Sequence, residues 1–416
     1  ITRQEEKVEI FCNRGQYDMK KWLTMIAGLI MLICISVPVL ASDTSETANT
    51  VIGVSVYNLN DAEVRAFRNY LENYIGITFN VDFIYSTGIL SAEDEITFIE
   101  ELHEKGVKGI ISFLSTDLEQ VLPVCEEYGM YYVRGSGTIS NEMFEKVKNN
   151  PYFLGVIGPS AEEEQKAAED MAQYFASEDT ERKNQYIITS GGAGVNNEMH
   201  RLRTAGILNQ LQKSYDLSYE KPVEELVLAT DTEKIETGTD IQITIVPGYP
   251  SVENLNENLR KVLDDGENNV ILSVLSVNSF MDAISACEQE KKEDIQVGAI
   301  DCFTEENYEL FHTKGYDGKE KLDYLVGKYG AIVAPAFVAM ENAYEGYAGD
   351  YRENGSAFQL QQSFWTATSP KEFDSQYALS IGMYDNTYSA QSMMKVMKAY
   401  EPSADFDSFK AFTEKL

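Results

Sequence analysis

Basic residues are scarce: 34 Lys and Arg stand against 67 Asp and Glu in 416 residues, a net charge of -33. Nucleic-acid binding needs a basic footprint that displaces counterions from phosphates, so no nucleic-acid partner is expected. A polybasic grip on anionic lipid is disfavoured for the same reason. The three His (His103, His200, His312) sit on separate segments without H-E-x-x-H spacing, which argues against a catalytic zinc. With 10 Pro against 25 Tyr and 19 Phe, the chain is no solvated polymer. Five Cys without short-range pairing do not make a disulfide framework, so stability must come from hydrophobic cores. Neither a G-x-x-x-x-G-K-[ST] phosphate loop nor a G-x-S-x-G elbow occurs, and the glycine-rich Ser190–Gly194 lacks the Lys that pairs a nucleotide. Asp350–Gly355 begins like a calcium loop, but Gln361 stands where the closing Glu should fall. No metal, no cofactor and no enzymatic activity are expected.

One long apolar run is present. From Met19 the chain reads MKKWLTMIAGLIMLICISVPVLASDTS, with Lys20 and Lys21 ahead of an uncharged stretch from Trp22 to Ala41. Val39-Leu40-Ala41 offers the small residues a leader peptidase reads, so residues 19–41 are expected to be a signal peptide and Ser42 the mature start. The alternative is an uncleaved membrane anchor, since about 20 apolar residues can span a bilayer. Cys34 follows Ile33 rather than a small residue, which disfavours lipidation there. Residues 1–18 begin without Met and precede the leader; the expectation is an upstream-frame artefact, with translation starting at Met19.

After a polar tether, strand-like and helix-like segments alternate. TVIGVSVY (50–57) reads as a buried strand, and DAEVRAFRNYLENY as a helix capped by Asp61 with Val64, Phe67, Leu71 and Tyr74 on one face. ITFNVDFIY (77–85), VKGIISFL (107–114) and MYYVRG (130–135) are further strands between helices. A second series starts near Tyr152 with FLGVIG, then QYIITSGG, IQITIVPG, NVILSVLS and IQVGAIDCF, again separated by helical stretches. Such alternation predicts βαβ units and parallel sheets. The fold class expected is α/β: two doubly wound parallel-sheet lobes joined by hinge crossovers, with a ligand cleft between them. Residues 50–151 with 326–350 form the first lobe in this reading and 152–325 the second. Residues 351–416 are an extension whose helices pack on both.

Open parallel sheets bind ligands outside the carboxyl ends of their strands. Candidates are the residues just after each strand: Tyr57, Asn58, Asn60, Ser115 and Arg134 in the first lobe, and Asn197, Asn278 and Asp301 in the second, with Arg203 one helical turn further in. Planar Asn, Asp and Arg groups can bond two neighbouring hydroxyls at once, and Tyr57 can cover an apolar sugar face. The ligand class read from these types is a sugar or polyol. Asn and Ser after a strand are also turn formers and helix caps, and either Arg could serve a structural salt bridge.

The stretch IGVSVY…GVKGIISFLSTDLEQVLPVCEEYGMYYVRG resembles the first domain of type I periplasmic sugar-binding proteins, the ribose- and galactose-binding group. PYFLGVIGPS, YIITSGG and RLRTAGILNQL continue the likeness, the last through its R-x-x-G motif, Arg203-Thr204-Ala205-Gly206. The resemblance implies that Arg203 contacts sugar and that Asp301, in VGAIDCF, faces the cleft. It departs from the family where an Asn-Asp pair becomes Asn278-Ser279 and an Asp-Arg pair becomes Val133-Arg134. It implies an exported, periplasmic or cell-surface solute-binding protein that delivers its ligand to the membrane subunits of an ABC importer. The competing expectation is a membrane-anchored sensor presenting its closed form to a sensor kinase or chemoreceptor.

Overall fold

The computed structural model describes residues 49–195, 197–248, 252–382 and 386–414. The expectations for residues 1–18 and 19–41 lie outside the described residues. Among those described, no helix is long and apolar enough to cross a membrane.

The central strands of the first sheet are apolar runs buried along most of their length. Its strands are β1 (Thr50–Ser55), β2 (Val81–Tyr85), β3 (Gly109–Ser112), β4 (Tyr131–Gly135), β5 (Phe153–Gly158) and β12 (Phe358–Gln361), ordered β12-β5-β4-β3-β1-β2 and parallel throughout. Its connecting helices are α1 (Ala62–Tyr70), α2 (Ala92–Glu104), α3 (Leu118–Tyr128) and α4 (Asn141–Val147). Asp61 caps α1 as its sequence suggests, accepting hydrogen bonds from the amides of Glu63 and Val64. Val64, Phe67 and Tyr70 are the buried face of α1, each contributing roughly 1.5–3 kcal/mol by leaving water. The expected strand at 77–85 is shorter than its apolar run. The helix continues through a wide turn over Leu71–Gly76 to Phe79, and left-handed Asn80 (φ 57°) ends it before β2 starts at Val81. That wide turn rotates the face, so Tyr70 is buried and Tyr74 only partly so.

The second sheet comprises β6 (Gln185–Ser190), β7 (Glu233–Ile235), β8 (Gln242–Pro247), β9 (Asn269–Ser273), β10 (Gln296–Ile300), β11 (Tyr324–Gly327) and β13 (Trp365–Ala367). The order is β13-β11-β10-β9-β6-β8-β7, parallel except for β7 and β13, which run antiparallel at the two edges. Around it lie α5 (Ala161–Glu178), α6 (Glu198–Tyr215), α7 (Val252–Asp265), α8 (Met281–Lys291) and α9 (Glu305–His312). The chain closes with α10 (Ala334–Tyr344), α11 (Pro370–Ser380), α12 (Ala390–Met394) and α13 (Phe406–Thr413).

The topology corrects the expected lobe boundaries. Strand β5 pairs with β4 in the first sheet, so the chain crosses only after Gly158, not at 152. Strand β11 pairs with β10 in the second sheet, so the return comes after Gly327, not at 326. Residues 351–416 are more than an extension of helices, because β12 extends the first sheet and β13 the second. A run of buried residues looks the same in either sheet, and only pairing assigns it.

Three segments therefore cross between the sheets: Gly158 to α5, Gly327 to α10, and β12 to β13. Gln362, in the third, ties them together. Its amide donates to the Gly158 carbonyl at 3.0 Å and its side-chain Nε2 to the Ile332 carbonyl at 3.0 Å. Beside it Tyr329 and Trp365 stack face to face, 3.6 Å between centroids and 4° between planes, with Phe303 edge-on to Trp365 at 5.8 Å.

Candidate functional site

Both sheets turn the carboxyl ends of their parallel strands towards these crossovers, which is where open α/β sheets bind ligands. On the first sheet, Tyr57 emerges after β1 and is exposed. Asn58 and Asn60 form the turn that enters α1. The Asn58 Oδ1 accepts the Asn60 amide at 3.0 Å, and the Asn60 carbonyl accepts the Arg65 guanidinium. Asn58 thus acts as the turn former that its residue type allows. Ser115 is exposed on the loop after β3. Arg134, at the end of β4, is only 3% exposed, and its Nη2 donates to the Thr116 carbonyl at 2.6 Å while its Nε has no partner. The hydroxyls of Ser136 and Thr138, just beyond, are also buried without partners. Behind this wall Glu95 is fully buried, accepting from Ser112 at 2.7 Å, from Tyr132 at 3.1 Å and from Thr116. Glu95 braces the ends of β3 and β4, where the Arg134 loop begins.

On the second sheet the nominated residues separate into two groups. Asn197 is the N-cap of α6, accepting the Met199 amide at 2.9 Å. Arg203 is a buried structural residue. Its Nε donates to Glu164 Oε2 at 2.6 Å, and its Nη1 to the carbonyls of Val274 at 2.8 Å and Ile300 at 3.4 Å. Its guanidinium also lies 5.9 Å from the centre of the Phe364 ring. The Gly of the R-x-x-G motif has a packing reason. A Cβ on Gly206 would stand 2.5 Å from the Gln165 carbonyl, so only glycine lets α6 lie this close to α5. In this chain the motif clamps α6 to α5, through the Arg203–Glu164 pair and the close approach at Gly206.

Asn278 and Asp301 belong to the other group, and the structure brings them together. Asn278 Nδ2 donates to the Ser276 hydroxyl at 3.0 Å and to Asn307 Oδ1 at 3.3 Å. Asn307 Nδ2 donates in turn to Asp301 Oδ2 at 2.8 Å and to the Cys302 carbonyl at 2.8 Å. Burial raises the Asp301 carboxyl above its ordinary range, against the bonds from Asn307 and the Cys302 amide, which lower it. Gly327 permits this arrangement, since a Cβ there would sit 1.7 Å from the Asp301 carbonyl oxygen.

The two walls meet through α1. Glu63 pairs with Lys328 at 3.1 Å, and Arg65 pairs with Glu306 on α9. Burial raises the Glu63 carboxyl; Lys328 opposes that shift, while Asp61 and Asp301 add to it. The sequence alone does not single out Glu63, Arg65, Ser276, Asn307 or Lys328. Lys328 had a signal, because DYLVG ahead of it is a strand pattern and the rule of looking just after strands applies to it. Asn307 had none, being one polar residue among several at a helix start.

Among the described residues no cluster of His, Cys, Asp and Glu could hold a metal ion. Cys125, Cys287 and Cys302 are buried free thiols, each pushed up by desolvation, which suits small core residues rather than reactive ones. A surface depression of 420 Å³ lies between β12 and α13, lined by Gln359, Gln361, Ser363, Lys410 and Glu414. It is shallow, and none of the groups described above reaches it. The buried polar groups described above lie instead at the carboxyl ends of the strands of the two sheets.

No protein-family model and no curated protein matches the chain. Solved structures do. A galactofuranose-binding protein superposes with TM-score 0.56 at 13% identity, over 80% of this chain and 99% of that one. The periplasmic binding component of the arabinose ABC transporter of Shewanella sp. ANA-3, bound to L-arabinofuranose, gives 0.56 at 15% identity, over 81% and 99%. A periplasmic sugar-binding protein of Pseudomonas fluorescens gives 0.56 at 12% identity, over 86% and 96%. At such identities what is shared is the fold, and the chain has the fold of the type I periplasmic binding proteins.

Proposed function

We propose that this protein is an exported solute-binding protein that captures a small polar ligand, a sugar, between its two sheets and hands it to the membrane subunits of an ABC importer. What supports this reading is that polar groups gather at the carboxyl ends of the strands in both sheets, beside the crossovers. In this reading Asn278, Asp301 and Asn307 form one wall of the site, and Arg134 with Ser136 and Thr138 the other. Buried donors and acceptors without partners suit a ligand rich in hydroxyls, because each hydroxyl both gives and accepts a hydrogen bond. Tyr57, exposed just after β1, offers an aromatic ring to cover an apolar sugar face. Three crossovers permit the hinge closure that membrane subunits could recognise. The sugar-binding proteins of the same fold support the ligand class. Export rests on the leader-like residues 19–41.

A thermal-shift screen of the purified protein against pentoses, hexoses, polyols, amino acids and nucleosides tests the reading. A ligand at 100 times its dissociation constant stabilises by about 2.7 kcal/mol. A shift with one or a few sugars is expected. A shift with amino acids or nucleosides alone would keep the cleft and overturn the sugar. Silence across the panel would favour a sensor whose ligand is a peptide or a protein.

A further inference from the structure

We propose that Asn354 is a site of spontaneous covalent modification: Asn354 and Gly355 cyclise with loss of ammonia, and the isoaspartate that follows loosens the joint between β5 and β12. The inference is independent of what the protein binds.

Asn354-Gly355 is the one place in the chain where glycine follows asparagine. The turn explains the pair. Glu353 and Ser356 are bridged antiparallel, the Ser356 amide donating to the Glu353 carbonyl at 3.0 Å. The two residues between them have positive φ, 52° at Asn354 and 84° at Gly355, the tight turn that Asn-Gly fills best. The same pair carries a chemical liability. Gly355 has no side chain to shield its amide nitrogen, and a Cβ built there meets nothing within 4 Å, so the approach is open. Both residues are exposed to water. Among the described residues, neither the Asn354 carboxamide nor the Gly355 amide is held by a hydrogen bond. Asn58 differs in this, since its Oδ1 is engaged by the Asn60 amide, and so does Asn278, whose Nδ2 is bonded to Ser276.

The Gly355 nitrogen, its proton taken by hydroxide or water, attacks Cγ of Asn354. The N–Cγ bond forms, the Cγ–Nδ2 bond breaks, and Nδ2 takes up a proton and leaves as ammonia. Water then opens the succinimide. Cleavage of the new N–Cγ bond gives aspartate; cleavage of the bond to the α-carbonyl gives isoaspartate, whose main chain runs through Cβ and Cγ. One water enters, one ammonia leaves, and nothing is oxidised. The isoaspartyl chain is one carbon longer in a two-residue turn that serves as a clamp. Arg352 donates to the Gly355 carbonyl at 3.0 Å, to that of Phe153 at 3.1 Å, and to those of Lys148 and Asn150 at 3.2 Å. Just past the turn, the Ser356 hydroxyl donates to Asn149 Oδ1 at 3.1 Å and the Ala357 amide to the Lys148 carbonyl at 2.8 Å. The added carbon moves the Gly355 carbonyl and the Ser356 amide out of register with Arg352 and Glu353, where the chain enters β12 beside β5.

The test is to hold the purified, folded protein in warm buffer at mildly alkaline pH and follow its peptides by mass spectrometry, with enzymatic methylation of isoaspartate as the second readout. The peptide containing Asn354 is expected to gain the mass of an amide turned acid, and to become a methyl acceptor, before any other asparagine peptide. Asn354→Gln should abolish the change at this position, because the larger ring closes far more slowly. Gly355→Ala should slow it several-fold, since a Cβ hinders both the attack and the backbone rotation it needs. Circular dichroism confirms that both variants are folded. An Asn354 peptide that stays unchanged, or that converts only after others, would show that the turn protects the pair and would overturn the proposal. The aged form, separated by anion exchange on its added charge, is then melted beside Asn354→Asp, which carries that charge without the added main-chain carbon. A lower melting temperature for the isoaspartyl form is expected, and equal melting would overturn the loosening of the joint.

Discussion

Replacing Arg203 with alanine is expected to lower the stability of the fold by about 3–5 kcal/mol, the cost of leaving a buried charge unpaired. The charge left behind is Glu164, which is fully buried and whose Oε1 already has no hydrogen-bond partner. The same substitution strips a donor from the Val274 and Ile300 carbonyls, at the ends of β9 and β10, and removes the guanidinium beside Phe364. Urea unfolding of wild type and variant reads the effect directly. The double variant Arg203→Met, Glu164→Leu should recover most of the loss, because apolar residues of similar volume commonly replace a buried pair at little cost. The opposite pattern, near-normal stability with sugar affinity lost, would show that Arg203 meets the ligand as the family resemblance implies.

Glu341 should behave in the reverse sense, its removal stabilising the protein. It lies on α10, 8% exposed, with Oε2 unpartnered. Burial, and then the charge of Glu345, push its pKa up to about 7. A carboxyl raised in the folded state is protonated there while the same group ionises in the unfolded chain. The fold therefore loses stability as pH rises from the ordinary glutamate value towards 7, and stays lower above it. Glu341→Gln should raise stability by about 1–3 kcal/mol at pH 8 and change it little at pH 4. Urea midpoints at the two values check this. Equal effects at both would mean that the gain comes from packing rather than from the charge.

The alternation of strand and helix was legible because β-branched runs such as Val51–Val54 and Ile187–Thr189 can do little else between amphipathic helices. Helix ends were legible where the cap is a single side chain, as with Asp61. Sheet membership was not. FLGVIG reads as a buried strand wherever it pairs, and nothing local says that it closes one sheet before the chain crosses. The cleft was partly legible. The rule of looking after strand ends nominated Asn278 and Asp301, which the structure joins in one hydrogen-bond network through Asn307. It also selected Asn58 and Asn197, whose side chains form a turn and a helix cap, and Arg203, whose buried position beside Glu164 depends on how α6 packs against α5. Charge partners across the gap, Glu63 with Lys328 and Arg65 with Glu306, lie more than 200 residues apart in sequence. No local pattern links them.

Hydrogen exchange of the purified protein, with and without L-arabinose, D-galactose or D-fucose at saturating concentration, tests the central claim most directly. The account predicts added protection in the segments after the strands, 57–61 and 134–138 on one wall and 274–278 and 301–307 on the other, together with the crossovers at 328–333 and 361–365. Protection of both walls at once is the mark of a ligand held between them. Protection confined to one sheet, or to the depression between β12 and α13, would contradict it.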